Sequence, residues 1–219
     1  MGTITRTFAN NITTSGVFKP TAFNNASFDN VTSVPSGSLP AGGSMVLLST
    51  QTASGSSSIS FTSGIDSTYK EYMFILNNIH TSDQTNFLFQ TSTDGGSSYG
   101  VTCTTTFFLA EHYENDTGTA FAYVGARDLA QSTSYQQING NSMGTNNDDN
   151  MSVVLHLFNP SDTTYVKHFM FNSNHNDYSA RQTNSLCAGY FNTTSAINAI
   201  DFKTLAGTFD GTIQMFGIL

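Results

Sequence analysis

Between Met151 and Asn172 two apolar runs are separated by one tight polar connection, and this pair restricts the fold more than any other stretch. If extended, the first run sets Met151, Val153, Leu155 and Leu157 on one side and Val154, His156 and Phe158 on the other, because side chains alternate along a strand. Both sides carry apolar groups, so the reading is a strand buried on both faces. Asn159-Pro160-Ser161-Asp162 is turn-forming, and beyond it Tyr165, Lys167, Phe169 and Phe171 oppose Val166, His168 and Met170. The pattern predicts an antiparallel hairpin around which the remaining chain packs.

Composition agrees with a β reading. Only 10% of the 219 residues are charged, and the 18 Phe and 9 Tyr supply large side chains that bury well between sheets. The length suits one sizeable β domain with an extension. Further strands are predicted at Ser44–Gln51, Ser56–Thr62, Glu71–Ile79 (again buried on both sides), Thr85–Thr93, Val101–Leu109, Phe121–Val124, Leu186–Asn192, Ala196–Leu205 and Thr212–Leu219. Asp94-Gly95-Gly96-Ser97 reads as a turn, since Asp bonds its own backbone and glycine accepts positive φ. Gly125–Tyr135 is the one place where a helical turn is expected. Residues 111–119, Gly140–Asn150 and Asn172–Ser185 read as polar loops. Short strands and loops of this kind predict an all-β, antiparallel two-sheet β-sandwich, jelly-roll-like, over residues 45–219.

Residues 1–44 differ from the rest. Isolated apolar residues are scattered through a polar tract, with Phe18, Phe23 and Phe28 five residues apart, a spacing that fits neither one helical nor one strand face. Pro35 to Gly43 reads as a hinge. We read 1–44 as an extended N-terminal arm, with Phe8, Val17, Phe18, Phe23 and Phe28 as its anchoring side chains on another subunit or protein. Arg6 and Lys19 against Asp29 give the first 45 residues +1, which leaves −9 for the remainder of a chain of net −8. An acidic body without a basic patch does not bind a phosphate backbone, so no nucleic-acid partner is expected. No run reaches the length of a membrane span and no signal peptide is visible, so no membrane partner is expected either.

The densest titratable cluster is Glu111-His112-Tyr113-Glu114 with Asp116. Paired carboxylates serve glycoside hydrolysis when held across a cleft, but nothing in the sequence around these predicts one. Asn146 to Asn150 offers oxygen ligands without the spacing, Gly and bidentate Glu of an EF-hand loop. His156 and His168 lie on the paired strands, and two histidines fall short of a zinc site. Cys103 and Cys187 read as small apolar core residues, with a disulfide as the alternative. No nucleotide, metalloprotease or nucleophile-elbow fingerprint occurs, so neither catalytic residues nor metal nor cofactor are expected.

Several segments carry a resemblance in their order along the chain. They are Ser67-Thr68-Tyr69-Lys70-Glu71-Tyr72, Ser92-Thr93-Asp94-Gly95-Gly96, Leu157-Phe158-Asn159-Pro160, the run Asn192 to Phe202, and the ending Gly211-Thr212-Ile213-Gln214-Met215-Phe216-Gly217-Ile218-Leu219. Together they resemble small β-sandwich structural proteins of tailed bacteriophages, of the decoration, cement or tail-associated kind. The ending is similar to a terminal strand G-x-I-x-L-Y-G-I, with Met215-Phe216 where Leu-Tyr is usual. The resemblance implies a non-enzymatic subunit located on the virion and assembled in the host cytoplasm. Its partners would be the major capsid protein or tail proteins, with self-association as a trimer. The alternative is a tail adhesin for host glycan, using Tyr113, Tyr123, Tyr135 and Tyr178. A polysaccharide-degrading enzyme would rest on Glu111, Glu114 and Asp116 alone.

Overall fold

A computed structural model describes residues 44–219. The arm, its hinge and the anchoring residues Phe8, Val17, Phe18, Phe23 and Phe28 lie outside the described residues. Twelve strands and no helix are found among those described. They are β1 (Met45–Ser56), β2 (Ser58–Phe61), β3 (Glu71–Thr81), β4 (Phe87–Ser92), β5 (Cys103–Tyr113), β6 (Thr119–Tyr123), β7 (Gln136–Gln137), β8 (Asn150–Phe158), β9 (Lys167–Asp177), β10 (Arg181–Phe191), β11 (Ala199–Thr204) and β12 (Phe209–Ile218). All pairs are antiparallel, and the expected β-sandwich is what forms. Its sheets are unequal: eight strands in the order β1-β12-β3-β8-β9-β10-β5-β6 face four in the order β2-β11-β4-β7.

The core lies between them and is built on aromatic rings. Phe89 from the small sheet meets Phe169 of the large one at 5.2 Å, edge to face, with Phe171, Phe191 and Phe202 around it. Phe61 meets Phe74 at 5.6 Å, and Phe87 meets Phe209 at 4.9 Å. Such pairs add about 0.5–1.5 kcal/mol each beyond the area they bury. The predicted hairpin is β8–β9, with Leu155 opposite Phe171 and Leu157 opposite Phe169. Asp162 closes its turn by accepting hydrogen bonds from the Thr164 and Tyr165 amides. In the Asp94 turn, Gly95 and Gly96 take φ of 75° and 88°, and a Cβ on Gly96 would meet Thr62 Cγ2 and Tyr99 Oη at 2.7 Å.

Four expectations need correction. Asn172–Ser185 is not a loop but the far half of the β9–β10 hairpin, with Arg181 opposite Asp177 and Ser185 opposite Ser173. Alternation holds there, but the inward residues are Ser173, His175, Asp177, Thr183 and Ser185, all buried and all polar. Polarity was therefore a poor guide to exposure. Gly125–Tyr135 contains no helix; Val124 accepts from the Arg127 amide to close a single turn, and irregular chain follows. Glu111 to Tyr113 belong to β5, so the polar connection is confined to residues 114–118.

The fourth correction concerns both strands that were read as buried on two sides. Only one face of β3 and β8 is buried. Val154 is 36% exposed and Met170, across from His156 on β9, is 47% exposed. The small sheet, by contrast, is covered on its outer side. Every residue of β4 is buried, and Gln90 reaches out to donate to the Thr133 and Ser134 carbonyls of the 124–135 connection.

Candidate functional site

The acidic cluster of β5 does not form a cleft. Glu111 faces inward, where its carboxylate accepts from Asn141 Nδ2 at 2.7 Å and lies 3.5 Å from the Arg181 guanidinium. Arg181 also donates to Asp177 at 2.7 Å, and Asp177 is fully buried. Burial opposes charge on Arg181, but the hydrogen bond and charge of Asp177, backed by Glu111 and Tyr113, outweigh it and raise the guanidinium pKa. Glu114 accepts from Asn176, and His112 pairs with Asp116 at 3.0 Å on the surface. Glu111, Glu114 and Asp116 thus have three different surroundings, and Glu111 is a structural carboxylate.

Beside this ion pair lies His175, 1% exposed, with Nε2 3.1 Å from the Asn141 carbonyl. A carbonyl only accepts, so Nε2 carries the proton and Nδ1 is the bare acceptor. Burial pushes the imidazole down to about 4, although the Asn141 bond and Asp177 oppose this. The segment around β7 seals this polar end. Ser173 Oγ donates to the Ile138 carbonyl at 2.8 Å, and Met143 bridges both Thr85 and Asp177.

The remaining candidates are dispersed. His156 opposes Met170 and His168 opposes Tyr190, both on the outward side, so the two imidazoles do not face each other directly. His156 Nδ1 is 2.5 Å from Glu71 Oε1. Asp149 turns inward, where one oxygen accepts from the Asn146 amide and side chain at 2.9 Å. Among the described residues no group of three or more His, Cys, Asp or Glu is arranged for a metal. Cys103 and Cys187 are buried free thiols.

The four tyrosines do not share a surface. Tyr113 lies under Arg181, 5.3 Å from guanidinium carbon to ring centre, whereas Tyr123 packs edge-on against Phe108. Tyr135 covers the outer side of the small sheet, donating to Asp201 at 3.0 Å with Lys203 Nζ 3.9 Å from its ring centre. Burial raises the Asp201 pKa against the hydrogen bonds from Ser60 and Tyr135. Tyr178 is exposed on the β9–β10 turn. A cleft of about 320 Å³ lies elsewhere, lined by Thr93, Ser98, Tyr99, Thr102 and Asn192 among others. Hydroxyls and an amide suit a neutral hydroxylated molecule; no carboxylate or imidazole lines it.

What the fold does assemble is an outer face of the large sheet that no other described residues cover. Cross-strand registers place Leu47, Phe216, Met73, His156, Met170, Ala188 and Thr106 in one continuous row from β1 to β5. The next row runs Thr50, Gln214, Ile75, Val154, Asn172, Leu186, Phe108 and Tyr123, from β1 to β6. Neither row contains Lys, Arg, Asp or Glu, and Leu47, Val154, Met170, Leu186, Phe108 and Tyr123 are all exposed. Below them is a block of amides, where Asn184 donates to Asn172 and Gln182 to Asn174, both at 2.8 Å. Sequence reasoning detected the apolar residues of both parities but assigned the second set to a core. No family model matches the chain, and neither a curated protein nor a solved structure shows detectable similarity to it.

Proposed function

We propose that this chain is a non-enzymatic structural subunit of a tailed-bacteriophage virion, a capsid decoration or cement protein held to the particle through its N-terminal arm. The observation that carries the reading is the uncharged double row on the large sheet. Strands about 4.8 Å apart make it about 34 Å wide, and two rows are about 14 Å tall, on the order of 500 Å². Ten of its fifteen residues are apolar, and the strip matches in size the largest exposed patch of a typical monomer, the kind often used for contact with other macromolecules. The ordered resemblance of residues 67–219 to virion β-sandwich proteins supports the setting. The titratable groups support the absence of chemistry, since Glu111 and Asp177 are committed to Arg181.

Quantitative mass spectrometry of purified virions tests this reading. Hundreds of copies per particle are expected for a decoration subunit; absence from the particle sinks the proposal. Removing residues 1–44 should abolish binding to stripped particles, and full binding by the truncated chain would refute the anchoring role.

A second reading, a tail-associated adhesin for host glycan, is favoured by the amide block, whose Asn184 and Asn172 share cross-strand rows with exposed Phe121 and Tyr123. Amides hydrogen-bond sugar hydroxyls and aromatic rings stack on sugar faces. A few to tens of copies per virion, with glycan-array binding lost in Asn174→Ala, would favour it over decoration.

A further inference from the structure

We infer that the outer face of the eight-stranded sheet is a self-association interface, on which a second copy of this chain packs the same face. The inference rests on the structural-subunit reading for its setting, but its physical argument is independent of it. Composition points to an interface centre: Phe216, Met73, Met170, Phe108 and Tyr123 are of the types enriched there, and acidic side chains and Lys are missing from both rows. Charge points to the occupant. A body of about −9 would recruit an unlike partner through a cationic complement, yet neither row offers a Lys, Arg, Asp or Glu of its own for such a partner to read. Two acids border the face, each already engaged by a row residue: Glu71 by His156 and Asp128 by the Tyr123 hydroxyl. Two acidic bodies approach each other at least cost where neither carries charge, and the chain itself supplies the matching surface.

Area points the same way. Two copies of the double row cover on the order of 1,000 Å², the lower limit for a specific interface before the amide rim is added. The rows also run across the strands, and two sheets packed face to face at about 10 Å interdigitate side chains across such rows. The contact is isologous, so each substitution acts twice.

Sedimentation of the full-length chain tests the inference. At about 100 µM, above the micromolar limit of a modest interface, the wild type is expected to sediment at twice 23.6 kDa. Met170→Glu and Val154→Glu, both at exposed positions, should weaken the dimer about 30-fold or more while leaving circular dichroism unchanged. Leu205→Glu, at a 67% exposed position beyond β11, should leave it intact. A monomeric wild type overturns the inference, as does a dimer unaffected by either face substitution or equally weakened by Leu205→Glu. Virion binding measured in parallel separates the two proposals. A monomer that binds virions and loses binding through Met170→Glu assigns the face to another virion protein and overturns self-association alone. A face-dependent dimer that binds no virion overturns the virion reading alone.

Discussion

His175 is a histidine that the fold keeps neutral. Its pKa falls from 6.5 to about 4, chiefly through burial. Between those values the unfolded chain binds a proton that the folded chain refuses, so stability falls as pH is lowered from 6.5 to 4, by about 3 kcal/mol in all. Urea denaturation across that range should show the slope, and His175→Gln should flatten it by about 1.4 kcal/mol per pH unit. Asp94 titrates lower: its hydrogen bonds from Ser92 and Ser98 hold it at about 2, so its contribution persists above 3.8 and is lost only below. The thiols lie at the other extreme. Burial pushes Cys103 up to about 11 and raises Cys187 further. Iodoacetamide at pH 8 should therefore leave both unmodified in the native protein and alkylate both in urea.

At the scale of the elements, the β9–β10 hairpin carries the least expected energetics. Replacing Arg181 with Met leaves Asp177 buried without its cation, which should cost about 3–5 kcal/mol in chemical denaturation. Gly189 sits where β10 crosses close to β5, and a Cβ there would meet the Thr104 carbonyl oxygen at 2.6 Å and Phe169 Cζ at 3.0 Å. Gly189→Ala should cost about 1–3 kcal/mol, read as a lowered urea midpoint at unchanged slope. Most strands were legible because alternation survives even where charge intrudes. Lys167 follows the inward parity of Phe169 and Phe171, and its ammonium finds the Tyr165 and Thr193 carbonyls. The far half of this hairpin was hidden because its inward residues are hydrophilic and its turn lacks glycine. Ala180 takes φ of 55° there, while the Asp177 carboxylate accepts from the Ser179 amide. The outer-face rows were hidden for another reason. Periodicity reports that two faces are apolar, but what covers the second face is decided by loops and partners that leave no periodic mark.

For the molecule as a whole, the two sheets are treated unequally. Loops spanning residues 93–102 and 124–135 close over the small sheet, with Tyr135 on Asp201, and among the described residues none closes over the large one. If the exposed double row pairs with its copy, native stability is tied to concentration by mass action. The Tm of the wild type should rise as protein is concentrated from micromolar to hundreds of micromolar, and that of Met170→Glu should stay constant. A concentration-independent wild-type Tm would contradict pairing through this face.

The registers also fix when the protein can fold. β1 hydrogen-bonds to no strand of the large sheet other than β12, and Leu47 finds Phe216 across most of the described chain. β3 in turn sits between β12 and β8. During synthesis β1 therefore waits, unpaired in its sheet, until Phe209–Ile218 has cleared the ribosome, so the sheet is completed only after translation has passed β12. A nascent chain stalled before residue 209 would leave β1 without a partner and β3 as an open edge.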